Sequence, residues 1–77
     1  MDTFFINIGT TDRVNKGELL RMICDISGVR GKDIGAIRLM KNHSFFDVKE
    51  QKSKGFEKKF KGLEFDGRKV RMNREDQ

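Results

Sequence analysis

Phe5 and Phe45 stand where a strand should show polar side chains to water. In Phe4-Phe5-Ile6-Asn7-Ile8-Gly9, alternation sends Phe4, Ile6 and Ile8 to one face and Phe5, Asn7 and Gly9 to the other. In Lys41-Asn42-His43-Ser44-Phe45-Phe46-Asp47-Val48, it sends Ser44, Phe46 and Val48 one way and Lys41, His43, Phe45 and Asp47 the other. Rings beside an imidazole and a cation suit one kind of chemistry. Flat bases stack on the rings, and the cations neutralise phosphate. Arg38 on one neighbouring segment, and Arg68, Lys69 and Arg71 on another, extend the same surface. Asn7 and His43 add hydrogen-bonding groups for bases or 2′-hydroxyls.

Catalysis finds little material in this chain. The single His and single Cys cannot assemble a metal site of the usual Cys/His kind. Neither a Gly-x-x-x-x-Gly-Lys-Thr phosphate loop nor an Asp-Glu-Ala-Asp box occurs, so ATP hydrolysis is not expected of it. No catalytic residue, cofactor or metal is expected. The lone Cys24 also precludes an internal disulfide and points to a reducing compartment, hence a cytoplasmic protein. With no long apolar run, no membrane span or membrane partner is expected. The net charge of +5 is unevenly spread: residues 1–40 hold six Lys/Arg against five Asp/Glu, and residues 41–77 hold eleven against seven. A basic second half favours a polyanionic partner.

The scaffold that must position these side chains can be read along the 77 residues. Residues 3–9 predict a strand. Asn15-Lys16-Gly17-Glu18 has the spacing of a capping box, and Leu19, Leu20, Ile23, Cys24 and Ile26 follow at helical spacing up to Ser27-Gly28. Ile34 to Met40 alternates and is joined to the His43–Val48 strand by a connection short enough for a hairpin. Gly35 in that strand marks either a bulge or a close backbone approach. Residues 50–61 predict a Lys-rich helix with Phe56, Phe60 and Leu63 on one side, although Gly55 costs about 1 kcal/mol there. Asp66-Gly67 marks a tight turn into a last strand over 68–73, with Lys69, Arg71 and Asn73 outward, and 74–77 reads as a frayed tail. The order strand, helix, strand, strand, helix, strand predicts an α+β fold, a βαββαβ plait. Two helices cover one face of a four-stranded antiparallel sheet and leave the other open. Residues 1–77 read as one domain with its core over about 3–73, and as a monomer.

Compared with the longer signature of the RNA recognition motif, Lys41, Ser44 and Phe45 fit, His43 replaces an aromatic, Asn42 stands for Gly, and Val48 ends the run without a ring. The whole chain resembles a more particular family. Phe4-Phe5-Ile6-Asn7-Ile8-Gly9 with Asp12, Leu19-Leu20-Arg21-Met22-Ile23, Gly31-Lys32-Asp33-Ile34-Gly35-Ala36-Ile37, His43 to Val48, and Gly67-Arg68-Lys69-Val70-Arg71 are similar to the DbpA-type RNA-binding domain. That domain is a divergent RNA recognition motif at the C-terminus of bacterial DEAD-box RNA helicases. The resemblance spans about residues 3–73. It implies a module that tethers a helicase core, in cis, to structured RNA such as a ribosomal RNA hairpin, through loops and strand edges as well as the sheet. Many members carry Lys or Arg after the first-strand Gly. Here Thr10 and Thr11 stand there, so Arg13 or Lys16 would have to supply a phosphate contact from that loop.

Plainer readings compete at several positions. Phe4, Phe46, Phe56, Phe60 and Phe65 read as core, and Cys24 as a buried, inert thiol. Lys49 to Lys61, with six lysines and two glutamates, reads first as a solvated helix face, with non-specific phosphate contact or loading of an anionic membrane as the alternatives. Two rival functions share the fold: a protein-docking module using the open sheet, and an acylphosphatase-like enzyme. The second needs a phosphate-cradling loop with Arg after the first strand, and Gly9-Thr10-Thr11-Asp12-Arg13 is short and acidic for that role.

Overall fold

The computed structural model describes residues 1–75. Its centre is β1, Asp2–Ile6, which pairs antiparallel with β3, Ser44–Val48, on one side and β6, Met72–Glu75, on the other. β2, Ile34–Leu39, pairs antiparallel with β3 and completes the order β2-β3-β1-β6. This is the α+β plait that the element order predicts. The alternation read from the sequence is realised: Phe4, Ile6, Ser44, Phe46 and Val48 are buried, while Phe5, Asn7, His43 and Phe45 lie half-buried on the open face. Between Ile34 and Ile37 the register shifts, so Gly35 and Ala36 bulge. Gly35 is also a close approach: a Cβ there would lie 2.7 Å from the Met1 sulfur.

The first helix, α1, spans Lys16–Ser27 and starts on the expected capping box. Asn15 Oδ1 accepts the Glu18 N–H at 2.8 Å, and Glu18 Oε1 accepts the Asn15 N–H at 3.0 Å. Gly28, at φ 76°, ends it in the left-handed conformation. Leu19 and Ile23 are buried against the sheet. Cys24 is half-buried, and burial, helped by the neighbouring Asp25 charge, pushes its thiol pKa up. Such a thiol is a poor nucleophile.

Residues 50–61 depart from the expected helix. A single α-turn, α2, covers Glu50–Ser53, and a 3₁₀ turn covers Phe56–Phe60. Gly55 between them takes φ 71°, which an α-helix cannot contain. Among the described residues, no side chain caps α2 either. Phe56 and Phe60 are nevertheless fully buried, with ring centroids 5.0 Å from Phe4 to Phe56 and 5.4 Å from Phe56 to Phe60. Burial of the rings, rather than helix propensity, fixes this segment.

The last predicted strand is split. Asp66 (φ 52°) and Gly67 (φ 82°) make the expected tight turn. It joins β4, Glu64–Phe65, to β5, Arg68–Lys69, in a separate two-stranded ribbon. The chain then crosses to the sheet as β6. Of the tail expected over 74–77, Arg74 and Glu75 therefore lie in a strand, and Asp76 and Gln77 fall outside the described residues. Arg74 is well tied: it reaches Asp2 at 3.0 Å and the Ser53 carbonyl at 3.2 Å, and lies over the Phe4 ring. Phe65, expected in the core, is half-buried against it.

Candidate nucleic-acid interface

The antiparallel register sets Phe5 directly opposite Phe45, and Phe45 opposite Arg38. The ring centroids of Phe5 and Phe45 are 5.8 Å apart, and His43 joins both, at 5.6 Å from Phe5 and 5.2 Å from Phe45. Arg38 extends its guanidinium over Phe45 at 5.8 Å from the centroid. Phe5, His43, Phe45 and Arg38 thus form one continuous cluster on the open face. Lys41 and Met40, both exposed, sit at its end in the β2–β3 turn.

That turn is held from below by the loop after β1. Thr10 donates its N–H to the Met40 carbonyl at 2.9 Å, and Thr11 donates its N–H and its hydroxyl to the Lys41 carbonyl at 3.0 and 2.9 Å. Gly9 makes the approach feasible, since a Cβ there would lie 2.5 Å from both carbonyl oxygens. Thr10 and Thr11 therefore have a structural task. They fix the turn that carries Lys41.

The other candidates are distributed less uniformly than the sequence suggests. Asn7 lies on the open face, but its side chain is engaged: Oδ1 accepts the Arg71 N–H at 2.7 Å, and Nδ2 donates to the Lys69 carbonyl at 3.0 Å. It fastens the link between β5 and β6 to β1. Arg68 is engaged too, donating to the Asn7 carbonyl at 3.0 Å and to Asp12 at 2.7 Å. Asp12 in turn accepts the Gly9 N–H. Lys69 sits in the ribbon and Arg71 in the link, both exposed beside the platform. Asn73, outside the set of sequence candidates, lies directly opposite Phe5 on β6 and is exposed. Its outward direction was legible from alternation. Its pairing with Phe5 depends on a contact across nearly the whole chain.

The opposite end of the open face has another character. Thr3 lies between Asp47 and Glu75 in the register and donates its hydroxyl to Asp47 at 2.7 Å. Next to this row, Ser53 donates a hydrogen bond to Asp2, and the Arg74 guanidinium adds its charge. Together they hold the Asp2 carboxyl below the ordinary aspartate range, against a smaller opposing effect of burial.

A second basic surface lies on the helix side. A concavity of about 680 Å³ between the end of α1 and α2 is lined by Arg30, Lys32, Lys49, Lys52, Lys54 and Lys59, with Asp33 as its one acidic member among the described residues. Lys49 reaches Asp33 at 3.6 Å, and Lys59 donates to the Ser27 carbonyl at 2.7 Å, at the negative end of the α1 dipole. Because the expected helix over 50–61 does not form, these lysines surround a hollow instead of lining a helix face. Arg30 and Lys32, from a different part of the sequence, join them there.

A family model described as the DbpA RNA binding domain matches residues 3–74, a span that contains the ring cluster, the threonine-held turn, the ribbon and most of β6. No individually curated protein matches the chain. The chain belongs to the DbpA RNA-binding domain family and is an RNA-binding domain.

Proposed function

We propose that this DbpA RNA-binding domain holds unpaired bases of a structured RNA on its Phe5–His43–Phe45 cluster, and thereby tethers the core of a bacterial DEAD-box helicase to ribosomal RNA in the cytoplasm. The observation that carries the reading is the cluster itself. Three half-buried rings and an exposed guanidinium share one patch of the open sheet face. A base stacked there contributes about 1–3 kcal/mol. Arg38, Lys41, Lys69 and Arg71 surround the patch as phosphate partners. Arg68 takes part with half its side chain exposed and its charge shared with Asp12. His43 offers a hydrogen bond to a base or a 2′-hydroxyl, whereas Asn7 supports the site by holding the Lys69–Arg71 backbone in place. The lysine-lined concavity adds phosphate contacts that carry no sequence information. The protein itself performs no chemistry in this reading, and ATP hydrolysis belongs to the helicase core.

A fluorescence-anisotropy titration tests this with a large-subunit rRNA hairpin and a scrambled hairpin at two salt concentrations. Tight binding to the first alone supports the ribosomal tether. Equal, steeply salt-dependent binding to both supports a general RNA tether instead. Absence of binding to either would overturn the RNA platform and leave the protein-docking rival.

A further inference from the structure

We infer that Asn73 reads the edge of the base that stacks on Phe5, so that this face discriminates one unpaired nucleotide instead of gripping RNA without preference. The inference rests on the platform reading above. Phe5 and Asn73 face each other across the β1–β6 ladder, so both project from the open face with their Cβ atoms about 4.5–5.5 Å apart. On its other flank Phe5 meets His43 and Phe45, so a base lying on Phe5 has its free direction toward β6.

The two asparagines of this face differ in what they have left to offer. Asn7 spends its carbonyl oxygen and one amide hydrogen on the backbone of Arg71 and Lys69. Asn73 is exposed, and among the described residues its side chain makes no hydrogen bond. A carboxamide presents one donor and one acceptor side by side, the complement of the paired donor and acceptor on a base edge.

The surroundings set the course of the strand. β6 is the edge of the sheet, and beside Asn73 it opens into a concavity of about 350 Å³ lined in part by Lys58, Lys61 and Arg71. Glu57 also lines it, and the three cations outnumber that one carboxylate, so the balance suits the phosphate of the same nucleotide. In the opposite direction the next row places Asp47 and Glu75 on either side of Thr3, where phosphate is repelled. The nucleotide is thereby confined between Phe5, Asn73 and the β6 edge.

The test uses the whole chain and four stem-loop RNAs with one stem and a uridine loop that carries A, C, G or U at one central position. Anisotropy is expected to show one of the four bound on the order of tenfold tighter or more. Asn73→Ala should collapse that spread while leaving the melting temperature unchanged, because the side chain is exposed. Asn73→Asp, which exchanges the donor for a second acceptor, should alter the order of preference. A spread that survives in Asn73→Ala overturns the inference, as does an equal loss for all four RNAs. Equal binding of all four by the unaltered protein overturns this inference alone, and no binding at all would overturn the platform with it.

Discussion

The ring-bearing end of the open sheet and the lysine-lined concavity are built in opposite ways. Phe5, His43 and Phe45 are placed by backbone register, and their neighbours restrain them. The turn at their end is pinned by Thr10 and Thr11. The concavity gathers its cations from two distant segments on long, flexible side chains, most of them exposed. Rigid rings make demands on the shape and stacking of a ligand, whereas mobile ammonium groups accept any phosphate within reach. One surface can discriminate, and the other can only attract.

The largest effect that separates them is expected from Phe45→Ala. It should weaken RNA binding by about 1–3 kcal/mol while leaving the slope of affinity against salt unchanged, as anisotropy at several salt concentrations would show. Gly9→Ala attacks the same end from beneath. Its methyl would press on the Met40 and Lys41 carbonyls, so a destabilisation of about 1–3 kcal/mol is expected by urea denaturation. Lys52→Gln with Lys54→Gln should act on the other surface, lowering affinity equally for matched and scrambled RNA. If both lysines contact phosphate, the salt slope should fall by about 1.4 in magnitude. An unchanged slope would remove the concavity from the binding surface.

The smallest effect concerns the fold beneath both surfaces. The Asp2 carboxyl titrates below its ordinary value when folded. Its contribution is therefore full above the unfolded-state value and is lost as pH falls through the folded one. The difference in melting temperature between the unaltered protein and Asp2→Asn should be greatest near neutral pH and fade below about pH 4.

Much of this architecture was legible because it obeys local rules. Alternation placed Phe4 and Phe46 inside and Phe5 and Phe45 outside, and the Asn15–Glu18 box located the start of α1. Two elements were misread where a non-local effect prevailed. The lysine-rich segment kept Phe56 and Phe60 in the core without remaining a helix, since Gly55 turns the chain and buried rings compensate for lost helical hydrogen bonds. The final strand was divided because Asn7 and Arg68 hold the 68–71 segment at distances of more than 60 residues along the chain. The candidate site shows the same division. Its rings follow from period-two patterning, whereas the concavity and the Phe5–Asn73 pair depend on segments that meet only after folding.

The central position of β1 governs the order in which this protein can assemble. Within this sheet β1 comes first along the sequence, yet one of its neighbours is β6, which comes after all the others. Until residues 72–75 are available, the Phe4–Ile6 backbone presents an unpaired edge, and Asp2 lacks the Arg74 guanidinium. During synthesis on the ribosome the sheet can therefore close only after Glu75 has emerged, and a chain cut before Met72 would expose a sticky apolar strand. Closure of this sheet waits on the strand that lies farthest from β1 along the sequence.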